Sequence, residues 1–335
     1  MRLTGARLKV GLAPEIVQLA EGSGHGNTWR NVLAELRFVN NVKLVRRGRA
    51  DVWLASGHEP PPVGRPLVVQ VHEASWGIPA LREFLDDDFV HGIEASTREA
   101  VAAADDVITP SRAAADQVIA AYPIASDRVH AIAHGVDHAL FHPGLSGGRE
   151  RVGAPYILTV ATLHPRKNLA AVREAAAALA RAGLPHVLVI VGNPAPDTRA
   201  AQFEREATAP LPDHPGRIVH LHSLAPSQLA AVMGGAELFC LPSYFEGFGL
   251  PALEAMAAGT PVIVSDRGAL PEVVGNGGLV VAPDPPAVSE AVQQVLREPE
   301  LAEQMRGAAV RRASAFSWSR TAASWLAVLE QAAQR

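Results

Sequence analysis

The sequence predicts an α/β protein with two domains, each built around a parallel β-sheet. Short runs rich in β-branched residues alternate with alanine-rich helical stretches, which is typical of βαβ units. The length of 335 residues exceeds one ordinary hydrophobic core and favours two domains. Open α/β sheets bind ligands beyond the carboxyl ends of their strands. Two domains with parallel sheets facing across an interdomain cleft would therefore bring their functional loops together there.

The first domain is predicted to cover residues 1–148. Strands are expected at 8–13, 51–55, 66–71, 106–109 and 128–133. Helices are expected at 27–37, 88–103 and 111–121. Side-chain oxygens favour N-cap positions because they accept hydrogen bonds from the first helical turn. Asn27 or Thr28 should therefore begin the first helix, and Ser111 the third.

The second domain is predicted to cover residues 149–316, after a linker at 142–153 that is rich in proline and glycine. Its strands are expected at 156–161, 186–191, 217–221, 237–241, 261–265 and 278–281. Pro299 should break the helical stretch near the end of this domain. A last amphipathic helix is expected at 317–334, within a C-terminal segment 317–335.

Composition and charge argue against several classes of protein. The formal net charge of −4 disfavours general nucleic-acid binding, which requires a basic surface. The single cysteine, Cys240, cannot form an internal disulfide, which fits a buried thiol in a reducing cytoplasm. No apolar run reaches transmembrane length, and the amino terminus lacks a secretory signal. The expected location is the cytoplasm, with at most peripheral contact with the inner face of the membrane.

The most informative segment is Pro-Ser-Tyr-Phe-Glu-Gly-Phe-Gly-Leu-Pro-Ala-Leu-Glu, in which the first glutamate is Glu246. It predicts a strand end, a glycine-rich loop and a short helix. Gly247 and Gly249 allow a ligand to approach the backbone, and the amides of the helix start suit an anionic diphosphate. Glu246 and Glu254 would repel phosphate and are therefore expected to contact sugar and ribose hydroxyls. An ordinary strand–helix connection with solvated glutamates does not explain the two glycines.

A second candidate is the pair Arg166 and Lys167, which follows the predicted strand 156–161. The planar guanidinium and the compact ammonium are together suited to a diphosphate leaving group. At about 4 Å and an intermediate dielectric, each such contact is worth about 4 kcal/mol before desolvation. The alternative is a solvated helix start, although cations there oppose the helix dipole.

Two weaker candidates lie in the first domain. Gly24 and Gly26 belong to a glycine-rich turn before a helix, where the backbone could approach phosphate; a flexible loop is the simpler interpretation. His72 follows the end of the predicted strand 66–71 and could hold a substrate hydroxyl. Histidines recur at 130, 134, 138 and 142, but in a strand–loop region. The sequence therefore predicts no metal site.

Taken together, these segments resemble the retaining glycosyltransferases of family four, which have the GT-B fold of two Rossmann-like domains. The Glu246 segment and the run Arg166-Lys167-Asn168 carry the resemblance most specifically. It extends over nearly the whole chain through the segments 106–111, 134–137, 156–169 and 265–278. The resemblance implies that the first domain binds the acceptor, that the second binds the nucleotide sugar, and that 317–335 packs back on the first domain.

The resemblance also implies roles for individual residues. Glu246 would contact the donor sugar near its reacting carbon, and Glu254 would hold the ribose. The implied catalytic residues are Glu246, His72, Lys167 and Arg166. The implied donor-binding residues are Gly24, Gly26, Arg166, Lys167, Phe248, Gly249, Leu250 and Glu254.

The implied activity is transfer of a hexose from a nucleotide diphosphate sugar to a hydroxyl acceptor, with retained configuration and without a metal. The acceptor would be a glycan or lipid-linked sugar, in the biosynthesis of a polysaccharide, glycolipid or glycoconjugate. No cofactor is expected beyond the donor substrate itself. By family analogy the leaving phosphate draws off the acceptor proton, so no protein base is obligatory and Glu246 is not a nucleophile.

Two alternatives to transfer stay open. A nucleotide-sugar-binding protein of this fold would bind the donor without reaction, and a related epimerase or phosphorylase would use it differently. A phosphorylase should need a lysine-bound pyridoxal cofactor. The chain has only three lysines, Lys9, Lys43 and Lys167, and none has a convincing context for it.

A basic cluster lies in the first domain and comprises Lys43, Arg46, Arg47 and Arg49. It could make weak peripheral contact with an anionic membrane surface. A solvated turn is the favoured interpretation, because four charges attract such a surface only modestly.

Overall fold

The computed structural model describes residues 7–19, 24–57, 64–78, 81, 87–194 and 200–335. The chain divides into two compact units. Unit 1 comprises Met1–Gly135 and Phe316–Arg335, and unit 2 comprises Val136–Ala315. The sequence places the boundary after residue 148 and the C-terminal segment from 317, whereas the structure divides the chain after Gly135 and after Ala315.

The expected linker packs within unit 2, which explains the displaced boundary. It contains a short helix, Gly148–Val152. A Cβ added to Gly234 would lie 2.6 Å from the Cβ of Leu145, so these two residues are in close contact. Proline and glycine in this stretch therefore accompany tight packing, where their abundance suggested a flexible connection.

Unit 1 contains a parallel sheet of six strands. They are β1 Leu8–Leu12, β2 Val42–Val45, β3 Val52–Ser56, β4 Leu67–Gln70, β5 Asp106–Thr109 and β6 Val129–Ala131, in the spatial order β2-β1-β3-β4-β5-β6. All the predicted strands are present, and β2 is an addition. It is a four-residue edge strand that includes the exposed Lys43, so its sequence lacks the apolar run typical of a buried strand.

The helices of unit 1 before residue 135 are α1 Pro14–Leu19, α2 Gly24–Phe38, α3 Asp87–Ala103 and α4 Arg112–Ala121. The N-cap prediction for α2 was wrong, because the helix already includes Asn27 and Thr28. Asn27 Oδ1 accepts a hydrogen bond from Asn31 Nδ2 at 2.8 Å, one turn along the helix. The prediction for α4 is confirmed, since Ser111 Oγ accepts a hydrogen bond from Ala114 N.

Unit 2 contains a second parallel sheet of six strands. They are β7 Tyr156–Val160, β8 Val187–Val191, β9 Ile218–Leu221, β10 Leu238–Leu241, β11 Val262–Ser265 and β12 Leu279–Val281, in the order β12-β11-β10-β7-β8-β9. Each strand predicted for the second domain is present. These strands were easy to recognise because a parallel sheet covered on both faces requires continuous apolar runs, as in β8.

The helices of unit 2 are α5 Gly148–Val152, α6 Leu169–Arg181, α7 Ala200–Thr208, α8 Pro226–Gly234, α9 Leu250–Ala257, α10 Leu270–Val274, α11 Pro285–Arg297 and α12 Pro299–Ala313. Pro299 begins α12, so the predicted break in this helical stretch is confirmed. Helices α6 and α11 pack together, and their apolar faces form a core with the strands through residues such as Val172, Leu188 and Val292. Cys240 is buried in β10, and burial raises the pKa of its thiol to about 12.

The last helix, α13 Trp318–Ala333, belongs to unit 1. It packs against α2 through Trp325 and Trp29, whose ring centroids are 5.3 Å apart at an interplanar angle of 88°. Thr321 Oγ1 donates a hydrogen bond to the carbonyl of Ala133, just before the chain enters unit 2. Among the described residues, no helix combines the length and the apolar character that crossing a bilayer requires.

Candidate functional site

The loops after β7 and β10 meet at one edge of the unit 2 sheet. These two strands are parallel neighbours, with Leu238 paired to Ile157 and Phe239 to Leu158. Parallel neighbours end at the same edge, so the residues after Val160 and after Leu241 emerge side by side. The cationic and acidic segments singled out in the sequence are therefore adjacent in the folded unit.

Lys167 and Glu246 form a close ion pair at this edge. The Lys167 Nζ atom lies 2.7 Å from Glu246 Oε1 and 2.8 Å from Oε2, so the ammonium contacts both carboxylate oxygens. Ser243 Oγ donates a further hydrogen bond of 2.7 Å to Oε1. The two charged side chains are only 12% and 10% exposed. Their charges are thus largely removed from water and depend on each other and on Ser243.

A tight turn positions Lys167. Residues Pro165–Lys167 form a single 3₁₀ turn, which Asn168 ends in the left-handed conformation with φ of 53°. Asparagine tolerates this conformation better than most residues. The Asn168 side-chain amide donates to the carbonyls of Pro242 at 3.1 Å and Pro283 at 2.6 Å. Asn168 therefore ties the cationic loop to the loop that carries Glu246, a role that the sequence analysis did not assign.

Arg166 also connects the loop after β7 to the loop after β10. Its Nη1 atom donates to the carbonyl of Phe245 at 3.0 Å, and its own carbonyl accepts from Tyr244 N at 2.9 Å. The sequence led us to expect the Arg166 guanidinium on a phosphate. In the structure it contacts the backbone carbonyl of Phe245, beside Glu246.

Gly268 lies directly behind Glu246. A Cβ added to Gly268 would lie 2.5 Å from the Glu246 carbonyl oxygen and 2.9 Å from its nitrogen, and its φ is 58°. Both the space and the backbone conformation therefore require glycine. The following residue, Ala269, donates its N–H to the same carbonyl at 2.9 Å. The sequence analysis assigned Gly268 no role, although it lies in the segment 265–278 that carries part of the family resemblance.

Helix α9 begins at the same loop. Gly249 adopts φ of 93° as its N-cap, and a proline follows within the first turn. In the first turn, Pro251 has no N–H and Ala252 N donates to the Gly249 carbonyl at 3.0 Å, so the amide of Leu250 is the one without an intrahelical acceptor and can bind an anionic group. Phe248 is buried beside this turn. The predicted strand end, glycine loop and short helix are all present.

Glu254 lies one turn into α9 and is buried. Burial raises the pKa of its carboxyl to about 8, because desolvation disfavours the charged form. A buried carboxyl with a strongly raised pKa, on the helix that follows the glycine loop, is a functional candidate because such shifts cluster at functional sites.

The remaining predicted residues belong to unit 1. His72 follows β4 and is buried, and its Nδ1 atom lies 3.0 Å from Gln70 Nε2. The amide nitrogen donates, so the neutral imidazole carries its proton on Nε2. Gly24 and Gly26 lie in the first turn of α2, where the sequence indicated a turn before the helix. The part of that glycine-rich segment at 21–23 lies outside the described residues.

The structure thus collects the predicted unit 2 residues at one edge of one sheet. They are Arg166, Lys167, Glu246, Phe248, Gly249, Leu250 and Glu254. The arrangement combines cations, helix amides and acceptor carboxylates, which is a set of groups able to bind a phosphorylated sugar.

Comparisons with known proteins identify the family of the chain. Residues 147–312 match the family described as glycosyl transferases group 1, and residues 23–140 match glycosyltransferase family 4. The chain is 30% identical over 322 residues to alpha-maltose-1-phosphate synthase of Mycolicibacterium smegmatis, covering 88% of this chain and 81% of the relative. It is 31% identical over 281 residues to MMP alpha-(1->4)-mannosyltransferase of Mycolicibacterium hassiacum, covering 82% of this chain and 64% of the relative.

Solved structures extend the comparison to the fold. Sucrose-phosphate synthase from Thermosynechococcus elongatus aligns with a TM-score of 0.75 and 19% identity, over 97% of this chain and 99% of its own. The HepE protein of Anabaena, solved in complex with UDP and glucose, aligns with a TM-score of 0.69 and 17% identity, over 97% of this chain and all of its own. At these identities the likeness establishes the shared fold. With two parallel α/β sheets and matches across both halves, the chain belongs to glycosyltransferase family 4 of the group 1 glycosyl transferases and has the GT-B fold.

Proposed function

We propose that this protein transfers a hexose from a nucleotide diphosphate sugar to a hydroxyl acceptor, with retained configuration and without a metal in the chemical step. The acceptor is proposed to be a glycan or a lipid-linked sugar. The single observation that carries the proposal is the buried pair of Lys167 and Glu246 beside the amino terminus of α9. Two relatives of the chain are named as a mannosyltransferase and a maltose-1-phosphate synthase.

Lys167 and the amides of α9 act on the leaving group in this proposal. The bond between the anomeric carbon and the phosphate oxygen breaks, and negative charge collects on the nucleoside diphosphate. Lys167 and Arg166, with the amides of Phe248, Gly249 and Leu250, stabilise that charge as it develops. The ion pair with Glu246 holds the Lys167 ammonium beside the loop that precedes α9 before the donor binds.

Glu246 orients the sugar. Oε1 accepts hydrogen bonds from Lys167 and Ser243, and Oε2 accepts one from Lys167. Oxygens held in this way suit acceptance of hydrogen bonds from sugar hydroxyls better than attack on carbon. The acceptor oxygen bonds to the anomeric carbon from the face that the phosphate leaves, and the acceptor proton passes to the departing phosphate. The products are a glycoside and a nucleoside diphosphate.

Unit 1 contributes further proposed contacts. The neutral His72 ring carries its proton on Nε2 and could donate it to a hydroxyl of the donor sugar. The backbone at Gly24 and Gly26, in the first turn of α2, is proposed to contact the diphosphate.

A donor screen followed by a turnover assay tests this proposal. Thermal-shift measurements against UDP-, GDP-, ADP- and dTDP-sugars should identify one nucleotide class, since a ligand at 100 times its dissociation constant stabilises by about 2.7 kcal/mol. With that donor and a pool of hydroxyl acceptors, we expect release of nucleoside diphosphate and a glycoside product of retained configuration. Activity should persist in a chelator.

The same assay separates the alternatives. Binding of a donor without nucleotide release from any acceptor would indicate a binding protein, and conversion of the donor to its epimer would indicate an epimerase. Either result would overturn the proposed transfer.

Donor binding should depend on pH through Glu254, whose pKa is about 8 in the free protein. The ribose hydroxyls are proposed to donate to its carboxylate, so binding favours the ionised form. We expect donor affinity to rise with pH by up to about tenfold per unit below pH 8 and to level off above it. Folding stability has the opposite slope. The folded protein holds the Glu254 proton that the unfolded chain releases near the ordinary glutamate pKa of 4.5, so stability falls as pH rises between these values.

Glu254→Gln should remove both pH dependences while keeping the shape of the side chain. Calorimetric titration with the identified nucleotide sugar between pH 6 and pH 9 measures the first, and thermal melts over the same range measure the second. An unchanged slope of affinity against pH in the variant would rule out the ribose role of Glu254.

We also propose weak peripheral contact between the basic cluster and an anionic membrane surface. Lys43 lies on the edge strand β2, and Arg46, Arg47 and Arg49 are exposed after it. Phe38, at the end of α2, is 84% exposed and supplies an apolar side chain close in sequence. Each basic residue near such a surface contributes about 1 kcal/mol. Neutralising the cluster should abolish co-sedimentation with phosphatidylserine vesicles. If the variant and the parent sediment equally, the cluster does not bind the membrane surface and is a solvated turn.

A further inference from the structure

Three side chains of types that can ligate a metal ion come together at β9, an edge strand of the unit 2 sheet. Glu204 lies in α7, His220 lies in β9, and His222 follows β9 directly. Each offers one ligand atom, and all three atoms lie within 4.8 Å of one another. His222 Nδ1 is 3.7 Å from Glu204 Oε1, and the two imidazole centroids are 4.1 Å apart. Alternate residues of a strand share a face, which is why His220 and His222 point the same way.

A backbone contact fixes the ring of His220. Its Nε2 atom lies 2.9 Å from the carbonyl oxygen of Gly192. A carbonyl only accepts, so Nε2 carries the proton and Nδ1 keeps the lone pair that a metal needs. Histidines that bind metals usually donate their other N–H to a carbonyl or carboxylate in this manner. The neighbouring loop is itself held, because Asn193 Nδ2 donates to Ser223 Oγ at 2.9 Å.

The ligand set selects a class of ion. Two imidazoles and one carboxylate suit zinc and the neighbouring divalent transition metals, whereas magnesium and calcium prefer oxygen ligands. Zinc–ligand bonds of about 2.0–2.2 Å place tetrahedral ligands about 3.3 Å apart. The separation of 3.7 Å between Glu204 and His222 is close to that value. His222 is 64% exposed, so its ring has room to complete the approach and leave a fourth position for water.

We propose that Glu204, His220 and His222 form a binding site for one divalent transition-metal ion, with zinc as the probe ion. The bound ion would join α7 to β9 and stabilise unit 2. The site differs from the proposed donor-binding set, because β9 lies two strands from β7, or about 10 Å, in the unit 2 sheet. The sequence predicted no metal site. That prediction rested on spacing along the chain, and Glu204 joins the two histidines only through the packing of α7 on β9.

Zinc titration of the full chain tests the site. The protein is prepared without a polyhistidine tag, freed of metal with a chelator and titrated calorimetrically with zinc chloride. We expect one ion per chain and an increase in melting temperature. His222→Ala and Glu204→Gln should each weaken zinc binding by at least about tenfold. Because these side chains are partly or largely exposed, the variants should fold, and far-ultraviolet circular dichroism checks this.

His142→Ala is the matched control, since His142 is an exposed histidine of unit 2 outside the group. It should bind zinc like the parent. Cobalt(II) gives a second readout, because a tetrahedral site should produce visible absorption bands that His222→Ala loses. Absence of stoichiometric zinc binding, or equal affinity in His222→Ala and the parent, would overturn the proposal. Neither result depends on whether the protein transfers sugar.

Discussion

Lys167→Ala is expected to lower kcat/KM for the donor by about 10²–10³-fold, the usual loss when one preorganised donor to developing charge is removed. The Lys167 ammonium is the charged group held at the loop where the leaving diphosphate is proposed to bind. Glu246→Ala should lower turnover comparably, because the sugar would lose an acceptor for its hydroxyls. Steady-state kinetics of nucleotide release measure both effects.

Breaking this pair also has a cost in stability that must be separated from the loss of turnover. The two side chains are nearly buried, so removing one deprives the other of its ion-pair contact, and breaking a buried pair typically costs about 3–5 kcal/mol. The double variant Lys167→Met with Glu246→Gln contains neither charge and should recover most of that stability. It should stay as inactive as the single variants.

An exposed ion pair in the same unit supplies the matched control. Arg181 Nη2 lies 2.6 Å from Glu174 Oε1, and both side chains are about half exposed. Exposed pairs contribute little, so Arg181→Ala should change stability by less than about 1 kcal/mol and leave kcat/KM unchanged. Recovery of activity in the Lys167–Glu246 double variant would mean that the pair is purely structural, and the proposed mechanism would then be wrong.

Gly268→Ala is expected to reduce turnover strongly without touching any ligand. Its new Cβ would lie 2.5 Å from the backbone oxygen of Glu246, and backbone atoms cannot yield as a flexible side chain does. The Glu246 backbone must therefore shift, which displaces the carboxylate from Lys167 and Ser243. Misplacing a catalytic group by about 1 Å can cost about 10²-fold in rate. We expect a loss of that order in kcat/KM.

Gly183→Ala separates this displacement from backbone strain. Gly183 also has a positive φ, of 73°, but an added Cβ there would meet nothing within 4 Å. Both substitutions place alanine in the left-handed region, at a cost of about 1–2 kcal/mol in stability. Only Gly268→Ala should lower kcat/KM. Similar kinetics in the two variants would show that Gly268 does not position Glu246.

Local patterns in the sequence were sufficient for much of the fold. The strands of unit 2 were predicted because buried parallel strands are continuous apolar runs, and Ser111 was recognised as a cap because its oxygen satisfies a first-turn amide. The segment from Glu246 to Glu254 carried the site because a glycine turn and a helix start are local features. Contacts between residues close together in the chain restrict which residue types can occur there, so they can be recognised in the sequence.

Contacts between segments far apart in the chain could not be recognised from local sequence patterns. The edge strand β2 forms because β1 lies beside it, and the unit boundary follows Gly135 because the next residues pack on unit 2. Asn168 and Gly268 support Glu246 across the sheet edge, and the grouping of Glu204 with His220 depends on the packing of one helix on one strand. The sequence by itself determined the parallel α/β class, the family and the loop that carries the charged groups, since each depends on short-range pattern. Only the tertiary structure decided which side chains meet, because parallel strands bring together loops that are separated by dozens of residues along the chain.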